Sequence, residues 1–551
     1  VIIACALTLI LSAFAAWVWI LWRFAVDVPI MDQWDTPAIQ IIAFWEGRLS
    51  WDLLTGQHND SRKLIPNLIS LALALAVDSY RPGYEVFITL GLGAVITASP
   101  VQLARQTGLG PVGSVSIAAL YVGLSLAPRS LIIHLHSLNF ERLIPDAMLL
   151  LALLTLTGSR LSWWRLIAAA TASGVAQFSI AGGVVLWPLL GLQIAIFTPL
   201  GRMNRALVTG LWGVFAGLSL WAYFAGFKIP YPDQPRPPLG EVPLVDFIRF
   251  LSGFFGNALS ANMTTAILTG SVMLSAFLGL LLVITVSPKH RCTSVQFTPW
   301  LVVAALPFSQ AALVTYGRLP DSIAHAFRDD YAHYGVFLPV ATAALALMLA
   351  ASRDKQRYQL VAVACLFVAA TLLAGLAGAG FHDRATAYWR KFSFAKACLV
   401  SRRQLAQPAC LDALFPRRTD RLPRFMRATG ILTPGLPKHL PIGANTPGAV
   451  DSVARHGGQF QARGWASLDN HPADAVALAC IDKDSRKSGP AAPRMIALTK
   501  VNKWRPDLAH WRRHLGNAGW SFNLSETPAC ATLEIFAVDA DRGQLRRLTP
   551  P

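Results

Sequence analysis

The sequence predicts a polytopic α-helical membrane protein with a C-terminal, water-soluble β-rich domain. Three observations predict it. Of 551 residues, 54% are hydrophobic and 14% charged, with mean hydropathy +0.45; soluble domains carry roughly 25% charged residues. Apolar runs of spanning length recur through the first 380 positions. Beyond them the pattern changes to short apolar runs separated by turn residues.

Charge follows the same division. Residues 1–380 hold 22 basic and 17 acidic side chains, and residues 381–551 hold 26 and 13. The formal excess of +18 therefore lies mostly in the tail. A basic surface suits anionic lipid headgroups or phosphorylated substrates. No nucleic-acid motif accompanies the charge, which excludes that partner class. Three regions result: a multi-span body at 1–380, a basic amphipathic connecting region at 381–444, and a β-rich domain at 445–551.

A spanning helix needs about 20 apolar residues. The first, 1–26, has no small-residue cleavage site before Arg23 and is expected to remain uncleaved. Further spans are expected at 84–104, 112–127, 139–157, 164–180, 182–198, 206–226, 263–286, 298–316, 334–351 and 357–378. The run 64–77 is short enough to be re-entrant. Cationic clusters near Arg105, Arg160/Arg165, Arg202/Arg205, Lys289/Arg291 and Arg353/Lys355/Arg357 assign those loops to the cytoplasm by the positive-inside rule. About 11 crossings follow, with loops 27–63, 128–141, 227–262 and 317–333 outward and the tail outside. Arg384, Arg390, Lys391 and Lys396 oppose that placement, but long domains translocate largely regardless of charge. Proline interrupts 229–238, and DFIRFLSGFFGNALS after it reads as an amphipathic surface helix.

The densest polar stretch of the body is 27–67, with six carboxylates, three cations and His58 wedged between apolar runs. It begins with Ile30-Met31-Asp32-Gln33-Trp34-Asp35, continues through Ala43-Phe44-Trp45-Glu46-Gly47-Arg48, and ends in Gln57-His58-Asn59-Asp60-Ser61-Arg62-Lys63 with Pro66 beyond. Other outward loops add His134, His136, Asn139, Glu141 and Arg142, then Arg318, Asp321, His325, Arg328, Asp329, Asp330, Tyr331 and His333. The i, i+2 spacing of His134 and His136 suits structural or interfacial roles. Salt bridges are the expected use of Asp329 and Asp330, with oxygen ligation of a cation as the other.

This layout resembles the GT-C superfamily of integral-membrane glycosyltransferases, which includes protein O-mannosyltransferases, aminoarabinose-lipid A transferases and mycobacterial arabinofuranosyltransferases. Ile30–Asp35 is similar to the superfamily's acidic first-loop element, and Lys63-Leu64-Ile65-Pro66 to its basic-Pro element. The 57–66 string also resembles a QHNEHR…P pattern of bacterial GT-C-like proteins, with Ser61 in place of the second His. Gln33 stands where the acidic neighbour is usual. The architectural likeness covers residues 1–380, and the motif likeness about 40 of them.

The resemblance implies transfer of a hexosyl or pentosyl group from a polyprenyl-phosphate-linked sugar to a glycan, lipid or protein acceptor outside a bacterial inner (cytoplasmic) membrane. Asp32 would be the general base, with Asp35 as second choice. His58, Asp60, Arg62, Lys63, Arg318 and Arg328 would contact the donor phosphate or the acceptor, with a divalent cation as an additional way to neutralise phosphate. The competing uses are ordinary ones. Asp35 before Thr36-Pro37 fits a helix start, and Arg62 and Lys63 fit anchors at the headgroups.

In the tail, residues 457–551 read as a small antiparallel β-sandwich. Trp465, Trp504, Trp511 and Trp520 suit either core packing or sugar stacking. Four tail cysteines permit three pairings; Cys398–Cys410 by proximity and Cys480–Cys530 by their strands are the expected disulfides of an oxidising, periplasmic side.

Three other functions compete. An O-antigen ligase or polymerase would depend on Arg and His in a late outer loop. A lipid-linked-sugar flippase or transporter would show ionisable residues within spans or repeated halves, and neither is visible in the span interiors. The third is a non-catalytic envelope scaffold.

Overall fold

The computed structural model describes the chain except residues 128, 158–160, 198–201, 229–240, 287–293, 320–321, 353, 377–378, 402–404, 406–410, 412–413, 415–439, 470, 482–492, 512–514, 531 and 550–551. Cys292, Asp321, Cys410 and most of the connecting region 381–444 fall outside that set. Two compact units result. The first comprises Val1–Ala25, Ser50–Ile69 and Gly83–Arg384; the second comprises Val26–Leu49, Ser70–Pro82 and Ala385–Pro551. The stretch 27–67 is therefore divided, its acidic beginning belonging to the second unit.

The first unit is almost wholly helical. Among the described residues, seven helices are long and apolar enough to cross a membrane: Ile2–Phe24, Pro82–Gln106, Arg205–Phe224, Met263–Val286, Gln296–Arg318, Tyr334–Ala351 and Lys355–Gly375. The chain is thus read as a multi-pass membrane protein. Helices at other expected spans are shorter. Phe140–Leu156 has 17 residues and Trp163–Gln177 has 15, about 22–26 Å at 1.5 Å per residue against a hydrocarbon core of about 30 Å. A two-strand hairpin, β1 (Gln57–His58) with β2 (Ser61–Arg62), is the described sheet of this unit.

Small residues set the tightest helix contact. Helix Leu244–Gly256, expected to lie on a membrane surface, packs along Met263–Val286. A Cβ on Gly256 would stand 1.9 Å from the Ala266 carbonyl oxygen, and one on Gly270 would stand 1.8 Å from that of Ser252. Bare backbone on both sides lets the two helices touch, as small-residue contacts do in membranes. The first helix buries its Trp17, which is 1% exposed. Trp187 and Trp212 are buried as well; the indole of Trp187 donates to Gln177 Oε1 (2.6 Å) and that of Trp212 to the Trp187 carbonyl (3.0 Å).

The second unit is built on an eight-stranded sheet. Its strands are β3 (Ile442–His456), β4 (Gln459–Leu468), β5 (His471–Pro472), β6 (Ala475–Cys480), β7 (Arg494–Thr499), β8 (Gly519–Leu524), β9 (Leu533–Asp539) and β10 (Gln544–Thr549). The order is β5-β4-β3-β10-β9-β6-β7, with β8 paired to β4. An all-antiparallel sandwich was expected. The sheet instead joins β3 to β10 in parallel, because β3 is long enough to pair with β10 at one end and with β4 at the other.

Strand β6 is buried throughout and alternates with period two. Ala475, Ala477 and Ala479 face one core, with Val28, Ile30, Trp34, Ile41, Tyr80 and Phe392. Val476 and Leu478 face another, with Phe460, Trp520 and Phe522. A disulfide joins Cys480 to Cys530, with Cα atoms 5.8 Å apart. Cys398 is also disulfide-bonded, and its expected partner, Cys410, lies outside the described residues.

The β4–β5, β5–β6 and β9–β10 turns border a polar cavity of about 160 Å³ lined by Asp469, His471, Asp474, Asp539, Asp541 and Arg542, with Leu468. Asp539 pairs with Arg546 (2.7 Å) and Arg542 (2.9 Å), and Asp541 pairs with the buried Lys396. Asp474 accepts the Ala540 N–H at 3.0 Å. Burial, and next the Asp541 carboxylate, push its carboxyl up to about 7.

Two expectations follow. Gly270→Ala must push apart a pair of touching backbones and lowers the unfolding midpoint of the purified chain, at a cost of about 1–3 kcal/mol. Asp474 keeps a proton in the folded state that the unfolded chain releases above about pH 4. Its contribution is present below that pH and is lost as pH rises to about 7. Unfolding midpoints of wild type and Asp474→Asn across that window check this: the variant loses the decline.

Candidate functional site

The richest polar constellation in the first unit comes from two loops and the ends of three helices. Asp329 and Asp330 open a 3-10 turn, Asp329–Tyr331. Each adjacent carboxylate meets two arginines. Asp329 Oδ1 lies 2.6 Å from Arg129 Nη2 and 3.7 Å from Arg384 Nη1. Asp330 is held bidentately by Arg328, with Nε–Oδ1 and Nη2–Oδ2 both 3.0 Å, and lies 3.4 Å from Arg142 Nη2. Burial alone would raise the Asp330 carboxyl; Arg142 and Arg328 overcome it and hold it below the usual carboxylate range. Both guanidinium groups also stand near the Tyr331 ring, at 5.8 and 5.7 Å.

Asn257 fixes the frame. It is fully buried, accepts from Arg129 Nε at 2.7 Å, and donates to the carbonyls of Ala326 (3.3 Å) and Arg328 (2.6 Å). Arg129 also donates to the Phe327 carbonyl and lies 3.5 Å from the Phe327 ring centroid. Exposure of the charged side chains rises from 10% at Arg129, through 20% at Arg142, to 49% at Arg328. Among the described residues, four guanidinium groups on two carboxylates leave a formal excess of two positive charges. Planar guanidinium forks bind phosphate as readily as carboxylate. This arrangement can recruit an anion.

Several side chains of the 57–63 string bond the protein's own main chain. Gln57 donates to and accepts from the Lys228 main chain (2.6 and 2.8 Å). Asn59 takes φ 51° in the two-residue turn, a left-handed geometry that Asn tolerates. Ser61 Oγ accepts the Ala181 N–H (3.1 Å). Arg62 donates to the carbonyls of Tyr223 (2.6 Å), Thr55 (2.9 Å) and Ala225 (2.5 Å). Its guanidinium satisfies a helix C-terminus and leaves little for a phosphate. Lys63 pairs at 3.0 Å with Glu141, both about 5% exposed. His58 is half-buried and Asp60 exposed. Arg318 is half-buried at the C-terminal end of Ser294–Arg318.

The acidic turn belongs to the second unit. Met31 has φ 51°, strained for a side chain of that size. Gln33 Oε1 accepts the Ile30 N–H (2.9 Å), and the Trp34 indole donates to the Pro29 carbonyl (2.9 Å). These clamps bury Gln33 and Trp34 and leave Asp32 and Asp35 half-buried. Asp35 is followed by Thr36-Pro37 and the helix Ala38–Trp45. Of the tail tryptophans, Trp465 and Trp520 are core residues and Trp504 is 61% exposed.

Among the residues that build the arginine cluster, sequence reading passed over Arg129 and Asn257. Arg129 carried a readable signal, as a lone cation in an apolar stretch. Asn257 carried none. The expectation that span interiors lack ionisable groups also needs correction: Asp146, 1% exposed, lies inside Phe140–Leu156. Among the described residues no three His, Cys, Asp or Glu side chains gather as a metal cage.

No family model matches the chain, and no curated protein sequence matches it. Among solved structures it is similar to the archaeal oligosaccharyltransferase AglB from Archaeoglobus fulgidus, in complex with an inhibitory peptide and a dolichol-phosphate. The TM-score is 0.37 and the identity 15%, over 74% of this chain. This chain spans 58% of that protein's length.

Lys63→Met leaves Glu141 buried without its cation and costs about 3–5 kcal/mol of stability. The double variant Lys63→Met/Glu141→Leu recovers most of it. Thermal unfolding of the three proteins measures both effects.

Proposed function

We propose that the chain is a membrane glycosyltransferase. It moves a sugar from a polyprenyl-phosphate donor to a glycan, lipid or protein acceptor on the extracytoplasmic side of a bacterial inner membrane. The observation that carries this reading is the excess of two positive charges on the arginine cluster of a largely apolar body. A lipid phosphate supplies the missing negative charge and prefers such a setting. The acidic turn at 31–35, which resembles the GT-C first-loop element, supports the same reading.

In the proposed reaction the acceptor oxygen attacks the anomeric carbon. A carboxylate takes the hydroxyl proton, and Asp32 is the candidate that the first-loop resemblance implies. The bond from that carbon to the phosphate oxygen breaks, and the phosphate leaves with the electron pair. Arg142 and Arg328 hold the developing charge, with Arg129 and Arg384 beside them. One displacement inverts the anomeric centre. Asp35 is the reserve candidate for the base. Relative to the sequence reading, Arg62 and Lys63 move from phosphate contact to structural roles, Arg129, Arg142 and Arg384 join Arg328 as phosphate contacts, and His58, Asp60 and Arg318 are left for acceptor or donor contact.

The test is a profile of envelope glycans and lipid-linked sugars in cells carrying wild type, a deletion, Asp32→Asn or Arg142→Gln/Arg328→Gln. In the expected outcome the deletion removes one envelope sugar and its lipid-linked donor accumulates. Asp32→Asn reproduces both, and with purified protein lowers kcat by about 10²–10⁴-fold. The arginine variant raises the donor concentration for half-maximal transfer by about tenfold or more. Wild-type behaviour of Asp32→Asn beside a deletion phenotype sinks the base assignment. Normal donor pools in the deletion sink the transferase reading.

A further inference from the structure

Asp146 belongs to a second polar group in the first unit, distinct in character from the arginine cluster. Neither of its carboxylate oxygens has a hydrogen-bond partner among the described residues. The nearest base is His333, whose Nε2 lies 3.9 Å from Asp146 Oδ2; the two side chains are 6% and 1% exposed. His333 lies against the Tyr334 ring, with centroids 3.8 Å apart. Arg142, His134 and the Asp330 backbone also face it. Tyr121 and Tyr334 face Asp146. His134 is itself buried edge-on against Trp17, with centroids 4.4 Å apart.

A bare carboxylate without donors is the costliest state such a residue can take in an apolar body. A bare imidazolium is also opposed, because His333 faces the Arg142 guanidinium. One proton between the two groups relieves both problems. It gives a neutral acid beside a neutral imidazole, at a separation that a small side-chain movement or one water closes. We propose that Asp146 and His333 form a proton-binding site inside the membrane body, holding one shared proton near neutral pH. The site takes its proton from water and needs no other reactant. It stands independently of the glycosyl-transfer reading.

Dicyclohexylcarbodiimide tests this on the full-length chain in detergent. A protonated carboxyl in apolar surroundings adds its O–H across the reagent's C=N bond, and the adduct rearranges to a stable acylurea with no leaving group. Peptide mass mapping from about pH 5 to about pH 9 reads labelling at Asp146. Labelling at neutral pH that fades on the alkaline side is expected, and Asp146→Asn abolishes it. His333→Gln removes the imidazole that helps hold the proton, so half-labelling moves down by about one pH unit. Infrared difference spectra of the same samples read the protonated-carboxyl C=O band directly, whether or not the reagent reaches the site. Absence of both label and band at neutral pH overturns the proposal. An unchanged pH profile in His333→Gln overturns the shared proton.

Discussion

Charge placed in an apolar body has to be matched, and the first unit meets that constraint at Asp329 and Asp330. Each carboxylate offers acceptor sites for more than one guanidinium, and each takes two. The loop backbone between Ala326 and Arg328 is held by Asn257, which also orients Arg129. Geometry and electrostatics are thus fixed by the same side chains. The cluster is overdetermined in position and, among the described residues, holds more guanidinium groups than carboxylates.

Helical class and the β-rich tail were legible because both rest on periodicity and composition, which act locally. Residues 84–104 and 263–286, for example, are apolar over a span's length and form helices at those positions. The roles within 57–63 were not legible. Arg62 in an acidic loop reads as a phosphate ligand until Tyr223 and Ala225 appear beside it, more than 160 residues on. Sequence shows that a guanidinium is present and says nothing about which carbonyls reach it first. Gln33 taught the reverse lesson. It looked like a departure from an acidic pair, and it is the clamp that shapes the turn.

The parallel β3–β10 pair was missed for a related reason. Alternating apolar patterns specify strands and faces, while strand order depends on how far each strand extends. Fifteen residues of β3 give room for two partners in succession. On β6, alanine at every second position keeps one face low, and the segments 26–49 and 70–82 settle there with Phe392 and Tyr80.

That last packing has a temporal side. Val28, Ile30, Trp34 and Ile41 are made long before Phe536, Val538 and Leu545, which complete the core that covers them. Residues 83–384 are synthesised between them. The acidic turn must therefore wait, with its apolar side uncovered, until residues 536–545 are made. Closing so distant a contact is slow, and a ribosome that stops early leaves that surface bare. The carboxylate we propose as the base takes its final setting only once the chain has been extended past Leu545.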